Sequence, residues 1–133
     1  MDEQRAVWPE KKVKLVASRG ETSVFIDAEI DEQGRLVLSG QDIGKAPQEW
    51  FGHDDYEYWL VVAASEKDRV LSILLGQLAG REQLRPASNA SQDEKDWALL
   101  RVIEKMYGGD LRADSALCDL LKANGIRFEF RTY

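Results

Sequence analysis

The stretch Val24-Phe25-Ile26-Asp27-Ala28-Glu29-Ile30-Asp31-Glu32-Gln33-Gly34, followed by Leu36-Val37-Leu38, decides the fold. Val24, Ile26, Ala28 and Ile30 alternate with Phe25, Asp27, Glu29 and Asp31, the period-two pattern of a strand with one buried side. Asp31-Glu32-Gln33-Gly34 then supplies a turn, with Gly34 free to take the positive φ such loops require. Leu36 and Leu38 resume the apolar side. Two such runs joined by a short polar turn predict an antiparallel hairpin.

Working outward, Val13, Leu15 and Ala17 alternate with Lys12, Lys14 and Ser18, and Arg19-Gly20-Glu21 closes that run. This predicts a strand before the hairpin and hence a three-stranded meander. A glycine-punctuated loop is expected from Gly40 to about Asp55. Tyr56, Tyr58, Leu60 and Val62 then alternate with Glu57, Trp59, Val61 and Ala63, a fourth strand apolar or aromatic on both sides and so central in the sheet. The second half turns helical. Ser65-Glu66-Lys67-Asp68 resembles an N-cap with acidic first-turn residues, after which Val70, Leu71, Leu74, Leu75 and Leu78 mark one face, with Gly80 as the stop. Ser91-Gln92-Asp93-Glu94 is a capping box ahead of Leu99, Val102, Ile103 and Met106. A third helix from about Ala113 to Ala123 ends at Asn124-Gly125, a C-cap signal. Ile126, Phe128 and Phe130 form a final strand. The order β-β-β-β-α-α-α-β predicts an α+β fold, one domain over residues 1–133, with a mainly antiparallel sheet and the helices packed on one face.

Composition narrows the function classes. The 133 residues carry 18 basic and 24 acidic side chains, a formal charge of −6. Sequence-independent nucleic-acid affinity comes from Lys and Arg displacing counterions, so this balance disfavours nucleic acid and favours a basic protein as partner. The Met1–Lys12 segment has no apolar core of a signal peptide, and Val70–Leu75 is far too short to span a bilayer. A cytoplasmic location with no membrane partner is the expectation.

Catalytic chemistry finds few candidates. His53 is the single histidine and Cys118 the single cysteine. Cys118 sits among Leu117, Leu120 and Leu121, the setting of a small buried side chain. One histidine cannot build a multi-histidine metal site, and Asp42, Asp54, Asp55 and Glu57 match no EF-hand spacing. Neither GxGxxG nor GxxxxGK[ST] occurs. No cofactor, metal or catalytic residue is assigned. The alternatives left open are a small enzyme using the His53-Asp54-Asp55 loop with Asp42, and a homodimer whose surface serves self-association.

The segment Glu49–Trp59 is the most informative for binding: four acids, five aromatics and no Lys or Arg. Aromatic anchors among acids suit an interface with a basic protein. Tyr56 and Tyr58 share one side of the strand and Glu57 and Trp59 the other, so one pair faces outward. Asp27, Glu29 and Asp31 form a second acidic row, a ladder of like charges that needs solvent or a partner. The expected partner-binding residues are Asp27, Glu29, Trp50, Asp54, Asp55, Tyr56, Glu57 and Trp59.

Leu38-Ser39-Gly40-Gln41-Asp42-Ile43-Gly44, then Asp55-Tyr56-Glu57-Tyr58, and Asn124-Gly125-Ile126 leading into an aromatic strand resemble small bacterial proteins of uncharacterised families. In architecture these resemble the immunity proteins of polymorphic-toxin and contact-dependent inhibition systems: acidic, cytoplasmic, single-domain and α+β. The resemblance implies a protein that binds and blocks a cognate toxin domain. No functional residue is carried over from it.

Overall fold

A computed structural model describes residues 10–51, 55–78 and 83–132. Five strands, β1 (Lys11–Ser18), β2 (Thr22–Ile30), β3 (Leu36–Gly44), β4 (Asp55–Val62) and β5 (Glu129–Thr132), form one sheet in the order β1-β2-β3-β4-β5, with every neighbouring pair antiparallel. A short helix α1 (Lys45–Phe51) joins β3 to β4. After a 3-10 turn at Ala64–Glu66 come α2 (Lys67–Gln77), α3 (Gln92–Tyr107) and α4 (Ala113–Ala123). The expected α+β architecture and element order hold, with α1 added.

One contiguous core lies between the sheet and α2, α3 and α4. Ile26, Ala28 and Ile30 of β2, Leu36 and Leu38 of β3, and Leu60 and Val62 of β4 meet Val70 and Leu74, Leu99 and Ile103, and Leu117 and Leu121. Each fully buried leucine or isoleucine contributes about 1.5–3 kcal/mol relative to exposure, so this layer carries most of the stabilisation. The Ser91 capping box forms as the sequence predicts: the Glu94 amide donates to Ser91 Oγ at 3.1 Å and the Ser91 amide to Glu94 Oε1 at 2.8 Å. Gly125, at φ +67°, follows α4 in the left-handed conformation expected after Asn124. The Ile126 amide then donates back to the Leu121 carbonyl at 3.0 Å.

Four local readings change. β3 continues through Gly40-Gln41-Asp42 to Gly44, where a loop is expected, because it is paired on both sides: Ile26↔Gly40↔Tyr58 and Val24↔Asp42↔Tyr56 are in register. Pairing with two neighbours overrides the poor strand propensity of Gly and Asp. Gly40 is required there, since a Cβ would overlap the Tyr58 ring. In β1 the register shifts between Lys14 and Val16, so Val16, and not Ala17, follows Leu15 into the core. The amide of Gly109, just after α3, takes up the Leu15 carbonyl at this bulge (2.8 Å). The α2 N-terminus has no side-chain cap and begins at Lys67; Gly80, the expected stop, lies outside the described residues. Only Glu129–Thr132 pairs as β5. Ile126 and Phe128 pack on the core from an irregular stretch, and Phe130 sits at the sheet edge, stacked on Tyr58 at 5.7 Å.

Candidate protein-binding face

The strand register places the acidic and aromatic residues. Residues paired across neighbouring strands project to the same side, so the sheet face opposite the helices reads as successive rows. Lys12, Glu29, Val37, Val61 and Glu129 form one row, and Lys14, Asp27, Ser39, Trp59 and Arg131 the next. Phe25, Gln41 and Glu57 follow, then Ser23, Ile43 and Asp55. The two acidic stretches therefore meet on one surface: Asp27 and Glu29 from β2, Asp55, Glu57 and Trp59 from β4. Parity within each strand separates Glu57 and Trp59 from the tyrosines, but only the register shows that they share a side with Asp27 and Glu29.

The three long helices leave this side uncovered. Every sheet residue in the main core cluster comes from the other face, while Val37 and Val61, at 8% exposure, are shielded without belonging to it. Ile43 is exposed, and Trp50 on α1 is 75% exposed, at the end of the sheet where β3 leads into α1. The charge pattern is graded. Lys12 Nζ stands 3.9 Å from Asp27 and 3.8 Å from Glu29, so the β2 ladder is loosely matched from the β1 edge. Arg131 pairs with Glu129 at 2.7 Å on the β5 edge. The face thus carries carboxylates on β2 and β4, either side of an uncharged β3, with Lys12 and Arg131 toward its margins. Asp31 lies outside it functionally: its carboxylate accepts from the Gln33 and Arg35 amides and from Arg35 Nε, bracing the β2–β3 turn.

Tyr56 does not join this surface. It projects to the helix-covered side with Tyr58, their rings 5.9 Å apart, where Asp42 and Asp114 also lie. Burial pushes the Tyr58 hydroxyl well above the usual phenol range; the Asp114 and Asp42 charges and its hydrogen bond to Asp114 act in the same direction. Burial, then the Asp114 charge, also raises the Asp42 carboxyl. This cluster ties α4 to the sheet. Asp42 points to the face opposite Asp55 and Glu57, so it does not converge with them. Asp54 and His53 lie outside the described residues. Burial and Asp114 raise the Cys118 thiol, which suits a packed side chain and not a thiolate nucleophile.

A buried ionic centre has no local signature in the sequence. Asp96, 3% exposed, holds Lys67 Nζ at 2.8 Å and Lys11 Nζ at 3.1 Å, while Gln92 Nε2 donates to it at 2.9 Å. It joins β1, α2 and α3 on the covered side, remote from the open face. Among the described residues no group of three His, Cys, Asp or Glu side chains could hold a metal ion, and no helix is long and apolar enough to cross a membrane. Comparison with known family models, curated proteins and solved structures yields no match.

Proposed function

We propose that this protein is a non-catalytic binding protein, an immunity protein that neutralises a basic toxin domain of the nuclease type by occluding its active site. The observation that supports the reading is the sheet face that α2, α3 and α4 leave uncovered, which carries Asp27, Glu29, Asp55 and Glu57 on the same side as Trp59. A nuclease must hold a phosphate backbone with Lys and Arg, and a surface of fixed carboxylates competes for the same cations. Trp59 supplies the large, rigid contact area typical of interface anchors, and Trp50 extends it at one end. The cations at the face margins set the register in which a basic partner can dock. Tight, salt-sensitive association follows, because much of the attraction is electrostatic.

Co-expression with the product of the neighbouring gene, followed by co-purification and a toxicity assay, tests this. A stable complex that dissociates as salt is raised, together with protection of the host cell, is the expected result. Absence of both complex and protection removes the reading.

A further inference from the structure

The open face is not flat. A depression of about 170 Å³ lies over β3, well below the roughly 300–1,000 Å³ of a site for a drug-sized ligand and of the scale of one side chain. Its floor is Ser39 and Gln41, two small or flexible polar residues of the central strand. The register fixes its corners: Asp27–Ser39–Trp59 is one row and Phe25–Gln41–Glu57 the next. Two carboxylates therefore occupy one diagonal and two aromatic rings the other. The aromatic wall already holds a cation of this chain, since Arg19 places its guanidinium carbon 5.0 Å from the centre of the Phe25 ring.

We propose that this recess is a guanidinium subsite that receives one arginine side chain of the basic partner; the identity of the occupant rests on the binding reading above. Asp27 and Glu57 are two strands and two residues apart, about 12 Å between Cα atoms from sheet spacings. A planar guanidinium with a hydrogen bond at each end bridges that span when both side chains lean inward. Its five donors match two carboxylates and the side-chain oxygens of Ser39 and Gln41, and its flat face stacks on Trp59. A lysine ammonium, compact and strongly hydrated, cannot reach both carboxylates at once, so the recess selects arginine. Lys12 approaches Asp27 from the β1 side, whereas Glu57 stands three strands from β1. Arg19, which lies over the Phe25 ring, is the internal competitor for that aromatic wall.

The test is a titration of the full chain with N-acetyl-arginine methylamide and, separately, N-acetyl-lysine methylamide at equal ionic strength, followed by amide and indole NMR shifts. Saturable shifts at the Trp59 indole and the Ser39, Gln41 and Glu57 amides with the arginine probe, at least fivefold weaker with lysine, are expected. Glu57→Gln should weaken the arginine probe at least fivefold, Ser39→Val should abolish it by filling the floor, and Arg19→Ala should strengthen it. Unsaturable shifts of equal size for both probes, or Glu57→Gln and Ser39→Val spectra that respond like wild type, overturn the subsite. A basic partner that still co-purifies in that case leaves the binding reading standing. Saturable arginine binding without any partner complex retains the subsite and removes the binding reading.

Discussion

Asp96→Ala removes the carboxylate that satisfies two lysines inside the fold. Lys11 keeps Asp93 at 2.8 Å, but Lys67, 4% exposed, loses the carboxylate that lies 2.8 Å from its Nζ. Stranding one member of a buried ion pair costs about 3–5 kcal/mol, a large part of the roughly 5–15 kcal/mol that stabilises a domain. Urea unfolding followed by tryptophan fluorescence should show the midpoint falling by about 1 M or more. Adding Lys67→Met to Asp96→Ala should recover much of the loss, because an apolar side chain needs no counter-charge there. The pH dependence has a defined sign. Burial pushes the Asp96 carboxyl up, but the hydrogen bonds from Lys67, Gln92 and Lys11 outweigh it and hold the group below the usual carboxylate range. A group whose folded pKa is depressed contributes stability above its unfolded pKa, about 3.9, and loses it as pH falls through the folded value. The gap between wild type and Asp96→Ala should therefore be full at neutral pH and narrow below about pH 4. An Asp96→Ala protein within about 1 kcal/mol of wild type, or a double variant no more stable than the single, refutes this account of the core.

Gly40→Ala should destabilise by about 1–3 kcal/mol in the same urea assay, because the new methyl meets the Tyr58 ring and forces it off Phe130; elsewhere in a strand the same change stabilises, so an unchanged or raised midpoint counts against the packing described. Ser91→Ala should cost about 1 kcal/mol by leaving the Glu94 amide without its cap, and Ser91→Asp should restore most of it; equal midpoints for all three would show that the cap contributes nothing.

The legible parts of the fold are those where one side of an element faces the core and the other faces water. β2 is readable because Ile26, Ala28 and Ile30 contrast with Asp27 and Glu29, and α3 because a capping box precedes a clear apolar stripe. The second half of β3 is not readable, since Gly40 answers to a tyrosine 18 positions away and its own propensity argues against a strand. The β1 bulge is equally hidden: Leu15 and Val16 are both apolar, and nothing local says that both turn inward. The Lys11–Asp96–Lys67 centre joins residues 85 and 29 positions apart, and a lysine destined for burial looks in sequence like any other. For the binding face, alternation assigned Glu57 and Trp59 to one side of their strand. It could not choose between that pair and Tyr56 with Tyr58, because Tyr58 and Trp59 are both large enough to fill a core. Gly40 makes room for Tyr58, and that decides which pair faces outward.

Charge reversal on the sheet face opposite the three long helices tests whether that face docks a basic protein. The double variant Asp27→Lys/Glu57→Lys should be compared with wild type and with Asp119→Lys, an exposed helical control, for complex formation with the partner that co-purifies in the co-expression test. The account predicts that the double variant loses affinity at least a hundredfold, about 2.7 kcal/mol, while Asp119→Lys binds as wild type does. Undiminished binding by the correctly folded double variant, with loss confined to Asp119→Lys, would place the interface on the helical side and contradict it.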